Sequence, residues 1–122
     1  MKLGKTTPIV RIFDEAKARE FYLDFLGFAV VFEHRFGPGM PLYMGVKRDD
    51  CTLHLSEHHG DASPGASMRI EVSDVDALCA ELVAKAYKFV RPNVGAMPWG
   101  TRDMIIADPF GNRFAFTSAI SL

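Results

Sequence analysis

The sequence lacks a basic excess: fourteen Lys and Arg face fifteen Asp and Glu, for a formal charge of −1. Sequence-independent binding to nucleic acid needs a cationic track for phosphates, so that class is excluded. Cysteine is scarce. Cys51 and Cys79 stand far apart, neither in a C-x-x-C pair, which fits a reduced cytoplasmic protein. No stretch approaches the ~18 consecutive apolar residues of a membrane span. Met1-Lys2-Leu3-Gly4-Lys5 leads into Thr and Pro rather than an apolar run, so no signal peptide is expected. G-x-S-x-G, P-loop and G-x-G-x-x-G motifs are all missing, which leaves hydrolase and nucleotide-binding readings without a starting point. What is present is ordinary: 48% apolar and 24% charged residues, which argues against disorder and coiled coil. A chain of 122 residues fits one domain or two very small ones. Folding at this size buries roughly two-thirds of the extended surface, enough for a core without staples.

The chain reads as two similar halves. Val10-Arg11-Ile12-Phe13-Asp14 opens the first, and Met68-Arg69-Ile70-Glu71-Val72-Ser73-Asp74 opens the second. A helical pattern follows each aspartate: Ala18, Phe21, Tyr22, Phe25 and Leu26 in one, Val75, Leu78, Cys79, Leu82, Val83 and Ala86 in the other. Asp14 and Ser73 or Asp74 are the expected N-caps, because a short side-chain oxygen accepts a bond from an orphaned N–H. Gly27 is placed to end the first helix; the second has no such glycine, and its end falls around Ala86 to Lys88.

Strand-like runs come next. Phe28 to Phe36, Leu42 to Val46 and Cys51 to Glu57 follow the first helix, the last two joined by the polar turn Lys47-Arg48-Asp49-Asp50. Lys88 to Arg91, Met104 to Ala107 and Arg113 to Ser118 follow the second, with Asp108-Pro109-Phe110-Gly111-Asn112 as a hairpin turn. The Gly37-Pro38-Gly39-Met40-Pro41 link, the link from Gly60 to Gly65 and the loop from Pro92 to Gly100 punctuate the chain. The expected order is βαβββ twice: an α+β domain over residues 1–122, with one module over about 7–59 and another over about 66–118. A chance likeness between two helices in an unrelated α+β domain is the plainer alternative.

Phe21-Tyr22-Leu23-Asp24-Phe25-Leu26-Gly27-Phe28, Leu53-His54-Leu55-Ser56-Glu57-His58-His59-Gly60-Asp61, Pro98-Trp99-Gly100-Thr101-Arg102 and Asp108-Pro109-Phe110-Gly111-Asn112 give the chain a specific likeness. It resembles the glyoxalase/bleomycin resistance/dioxygenase (vicinal oxygen chelate) superfamily over nearly its whole length. The segments around His58-His59-Gly60-Asp61 and Pro98-Trp99-Gly100 are closer to the bleomycin-resistance branch than to the metalloenzymes. The resemblance implies two βαβββ modules with cupped mixed sheets, in a homodimer whose cups are completed between chains.

In that family the enzymes hold a divalent metal with four side chains, usually His and Glu, one from each of four strands. By the resemblance those positions fall on Thr7, His54, Met68 and Ala115. Only His54 is a strong ligand there; a thioether is soft, a hydroxyl weak, and alanine offers nothing. A catalytic zinc takes about three protein ligands, so neither metal nor other cofactor is expected. His54-Leu55-Ser56-Glu57-His58 matches H-x-x-E-H, but on a strand i and i+4 lie ~13 Å apart and do not close on one ion. His58, His59 and Asp61 read as polar loop packing, with Asp61 accepting backbone N–H bonds. A metal-dependent lyase, isomerase or dioxygenase with an unusual ligand set drawn from His54, His58 or His59 is the rival reading.

Catalytic groups are thin. Cys51 stands beside two aspartates, which disfavour the thiolate, and Cys79 lies on an apolar helix stripe. Glu33, His34 and Glu57 suit acid–base work only if they face a cup; no catalytic residue is assigned. A binding surface needs less: flat ligands are held by ring stacking and apolar burial with a few polar groups for orientation. The resemblance points to Trp99, Phe36 and Phe32 for stacking, as relatives sandwich the planar bithiazole of bleomycin between a loop tryptophan and strand phenylalanines in a groove between subunits. Arg102 and His54 would supply polar contacts. Core packing is the competing role for Phe32; a tryptophan between Pro and Gly is hard to bury fully. The implied function is metal-independent capture of a bleomycin-type antibiotic, with no nucleic-acid or membrane partner. A regulatory metabolite binder is a further alternative. The charge of −1 gives little steering of a cationic drug.

Overall fold

The computed structural model describes residues 1–120 and divides into two compact units on either side of the Pro64–Gly65 junction, inside the Gly60 to Gly65 link. Each unit holds one βαβββ module. The first contains β1 (Ile9–Arg11), α1 (Glu15–Arg19), β2 (Ala29–His34), β3 (Tyr43–Arg48) and β4 (Cys51–Ser56). The second contains β5 (Ser67–Glu71), α2 (Val75–Ala84), β6 (Val94–Ala96), β7 (Thr101–Ala107) and β8 (Arg113–Ala119). The sheets have the same layout, β1-β4-β3-β2 and β5-β8-β7-β6. In each the first and last strands of the module run parallel and the other pairings are antiparallel.

Both aspartate caps form. Asp14 Oδ1 accepts from Lys17 N–H at 2.9 Å, and Asp74 rather than Ser73 takes the second cap, accepting from Ala77 N–H at 3.0 Å. The first helix is not α-helical throughout: beyond Arg19 it widens to a π-helix over Glu20–Phe25, and Leu26 N–H reaches back to Phe21 O at 2.9 Å. That widening brings Phe21, Tyr22 and Phe25 all into the buried face. Gly27 ends it with φ 77°, a left-handed turn that costs glycine nothing. In the second unit Ala86 takes that conformation, φ 51°, without a glycine's freedom.

The expected strand at Lys88 to Arg91 is replaced by a turn, with Val90 N–H bonded to Tyr87 O at 3.2 Å. The left-handed Ala86 redirects the chain, and Pro92 has no N–H to give a ladder. The strand forms later, at β6, inside what the sequence suggested was loop; β7 is correspondingly longer at its start, pairing Ala96 with Arg102. Trp99 then lies in the tight turn between β6 and β7, closed by Met97 N–H to Thr101 O at 2.7 Å.

Alternation fixes the faces. Val10, Met44, Val46, Leu53 and Leu55 form the buried sheet face of the first unit, with Ala18, Phe21, Tyr22 and Phe25 of its helix also buried. Met104, Ile106, Phe114 and Phe116, with Val75 and Leu82 of α2, do the same in the second. Among the described residues, no helix is long and apolar enough to cross a membrane.

Candidate functional site

The face of the first sheet turned from its helix carries a ring cluster. Phe32, Gly45, His54 and Ile9 form one row across the four strands by register. Phe32 reaches this row because β2 carries an irregularity between Val30 and Phe32, which shifts Phe32 opposite Gly45. Gly45 leaves the seat: a Cβ there would stand 2.3 Å from Phe32 Cε1 and 2.7 Å from Cδ1. Tyr43, two residues from Gly45 on the same face, lies nearly parallel to Phe32, centroids 6.1 Å apart at 16°. His54 meets both rings edge-on, at 5.2 Å from Phe32 and 5.3 Å from Tyr43. The Tyr43 hydroxyl and His54 Nδ1 share a 2.7 Å hydrogen bond, which fixes the imidazole plane and leaves Nε2 as its other polar edge. Burial, then the charge of Asp61, pushes the Tyr43 phenol above its usual range, so it stays protonated at neutral pH.

Phe36 lies past the end of β2, 78% exposed, against His34 and His58 at 4.8 and 5.9 Å. It extends the cluster from a loop, not as a continuation of the Phe32 strand. Asp61 accepts from the Ser56 hydroxyl at 2.6 Å, while His58 N–H donates to the same hydroxyl oxygen at 3.0 Å. The turn is thus held through Ser56, whereas backbone donors to Asp61 were expected. Glu33 turns to the helix side, where it meets Arg19, and Glu57 Oε1 accepts from Leu42 N–H at 2.9 Å.

In the second unit, Trp99 is 64% exposed at its turn. Arg102 lies on the α2 side of β7, where its Nε and Nη2 donate to Asp76 at 2.9 and 2.7 Å. Phase explains it: Arg102 shares parity with buried Met104 and Ile106. On the opposite face lies Arg69, whose Nη1 meets Asp103 Oδ2 at 3.0 Å. Asp103 is buried and also accepts from Thr117 at 2.6 Å and Thr101 at 2.8 Å. Neither Tyr43 nor Arg69 stands out from sequence. Their signal is alternation: Tyr43 and Gly45 flank buried Met44, as Arg69 lies between Met68 and Ile70.

The positions that the resemblance assigned to a metal do not supply a ligand set. Met68 pairs with Phe114 and so shares the helix-facing side of its sheet, and the residue opposite Ala115 is Arg69, a cation. Thr7 precedes β1, and His54 has one nitrogen bonded to Tyr43. Among the described residues no group of three or more His, Cys, Asp or Glu is arranged to hold a metal ion. The side chains at these four positions therefore do not fit a bound divalent cation. Cys51 is no better as a nucleophile, since burial pushes its thiol up.

Two βαβββ units of identical sheet order define a duplicated α+β protein. The family model described as "Glyoxalase superfamily protein" matches residues 1–121, and the chain belongs to the glyoxalase superfamily. Comparison with curated protein sequences returns no match. Among solved structures, the bleomycin-binding protein of bleomycin-producing Streptomyces verticillus, complexed with copper(II)-bleomycin, is 30% identical. The alignment covers 100% of this chain and 99% of that one, with a TM-score of 0.72. TnmS3, an antibiotic binding protein from Streptomyces sp. CB03234, is 25% identical over 98% of each chain, TM-score 0.71. A glyoxalase/bleomycin resistance protein/dioxygenase superfamily member from Sphaerobacter thermophilus DSM 20745 shares the fold at 23% identity, covering 95% and 97%, TM-score 0.69.

Proposed function

We propose that this protein is a cytoplasmic homodimer that binds and sequesters a planar, bleomycin-type antibiotic without a metal ion of its own. The observation that carries the reading is the Phe32–Tyr43–His54 cluster seated on Gly45, a ring surface on a sheet face where a donor set would otherwise stand. Antibiotic-binding proteins among the similar structures support it.

Stacking on a ring already fixed by neighbours orders little that was free, so contact area converts efficiently into affinity. Phe32 and Tyr43 form the platform. His54, held at Nδ1, presents Nε2 to a polar group of the ligand. Phe36, largely exposed on the same unit, is a further stacking contact, and Trp99, largely exposed on the second unit, is a stacking residue of that unit. Arg102 is left out of this reading, because it lies on the α2 side of its sheet, paired with Asp76. Sequestration needs no bond-making: bound drug is withheld from its target by mass action.

Trp99 is the sole tryptophan, so its fluorescence reports binding nearby. Titration with metal-free bleomycin should give saturable quenching at one site per chain or per dimer. A flat response across the titration, with no heat of binding by calorimetry, would overturn the proposal.

A further inference from the structure

The second unit presents its own surface, on the face of its sheet turned from α2. Arg69 on β5 reaches across β8 to Asp103 on β7. Its Nη1 donates to Asp103 Oδ2 at 3.0 Å, while Nη2 donates to Oδ1 at 3.4 Å and to Thr117 Oγ1 at 3.2 Å. Those bonds direct one edge of the guanidinium at the sheet and fix its position. The Asp103 side chain beneath is only 1% exposed, yet that of Arg69 is 50% exposed. A pinned guanidinium with its bonding edge occupied still offers its flat, weakly hydrated π face. Ala115 lies opposite Arg69 in register and Ile105 beyond it, so the ground next to the cation is apolar and, at Ala115, low. Ile105 is among the exposed apolar side chains. The other charged residues on this face are Glu71, two along β5, and Arg113, two along β8.

We propose that this face is a stacking site for an electron-rich aromatic ring, with the Arg69 guanidinium as its platform and Ala115 and Ile105 as its apolar surround. Rings rich in π density, such as phenols and hydroxylated fused aromatics, are attracted to a guanidinium face; cationic heterocycles are repelled by it. Asp103 acts as a positioning residue, holding Arg69 in place from below. The inference goes beyond the proposed function: it concerns a face of the second unit by itself and names the electronic class of ring that face would take.

The test uses two probes of equal size, 2-naphthol and N-methylquinolinium, titrated at neutral pH into the full chain and followed by calorimetry and by the Arg side-chain N–H signals in NMR. Wild type should bind 2-naphthol about tenfold more tightly than N-methylquinolinium, with ring-current shifts at the Arg69 Nε–H. Arg69→Lys keeps the charge and loses the flat face, so 2-naphthol affinity should fall by about threefold to tenfold. If Arg69→Lys does not fold, the Arg69→Met/Asp103→Asn double variant, which leaves no buried unpaired carboxylate, replaces it. Unchanged 2-naphthol affinity in the variant, no Arg69 shift, or no 2-naphthol binding overturns the inference. Arg69-independent naphthol binding alongside bleomycin quenching leaves the proposed function standing. Arg69-dependent naphthol binding without a bleomycin response sinks that function and keeps this site.

Discussion

Adding one methyl group at Gly45 tests the architecture of the ring cluster. The Gly45 backbone is not in the left-handed region, so alanine fits its conformation. Its space does not allow it: the new Cβ would lie 2.3, 2.7 and 3.0 Å from three atoms of the Phe32 ring. Phe32 must lift away, losing its stacked contact with Tyr43 and its edge contact with His54, each worth roughly 0.5–1.5 kcal/mol beyond area burial. Phe32 is 40% exposed and recovers part of that loss in solvent. Alanine in a strand returns about 0.5–1 kcal/mol over glycine. Gly45→Ala should therefore destabilise by about 1–2 kcal/mol, at the lower end of overpacking costs. In a Phe32→Ala background the obstacle is gone, and the same change should be neutral or stabilising by up to about 1 kcal/mol. Urea unfolding of the four proteins measures the coupling, expected near 2 kcal/mol. Equal effects of Gly45→Ala in both backgrounds would refute the claim that Phe32 sits on this glycine.

Asp103→Asn removes the charge to which Arg69 and two hydroxyls are bonded, and should cost about 1–3 kcal/mol, toward the low end because Arg69 can rehydrate. Burial alone would push the Asp103 carboxyl up, but hydrogen bonds from Thr117, Arg69 and Thr101 outweigh it and hold the group below the usual carboxylate range. Its contribution is therefore complete above the unfolded value near ~3.9 and disappears as pH falls through the folded one. The gap between wild type and Asp103→Asn should be flat from about pH 8 to about pH 5 and shrink below about pH 4, read from unfolding midpoints. Asp14→Ala removes the cap bond to Lys17 N–H and should cost about 1 kcal/mol, while Asp14→Asn restores most of it.

The module order and both aspartate caps were legible because each rests on short-range rules: a side-chain oxygen near an orphaned N–H, apolar residues at helical spacing. The strand at Val94–Ala96 was not, since three residues without β-branched repetition carry no pattern and gain their structure only by pairing with β7. Position along the chain located Arg102 near the site, but phase decided its direction, away from Asp103 and toward Asp76. Tyr43 reads from sequence as one residue of a strand and no more. Its partnership with Phe32 and His54 depends on the β2 irregularity and on the register across three strands, both of which are tertiary facts. The π-helical widening at Glu20–Phe25 is similarly set by burial of three neighbouring aromatics, beyond what helical spacing alone conveys.

The most direct measurement is calorimetric titration of metal-free bleomycin into protein dialysed against EDTA, with and without the chelator in the cell. Saturable binding of equal affinity in both conditions, weakened about tenfold or more when Phe32 and Tyr43 are both replaced by alanine, is the predicted result. Binding that appears only after a divalent cation is added, or that is indifferent to loss of the two rings, would contradict the account.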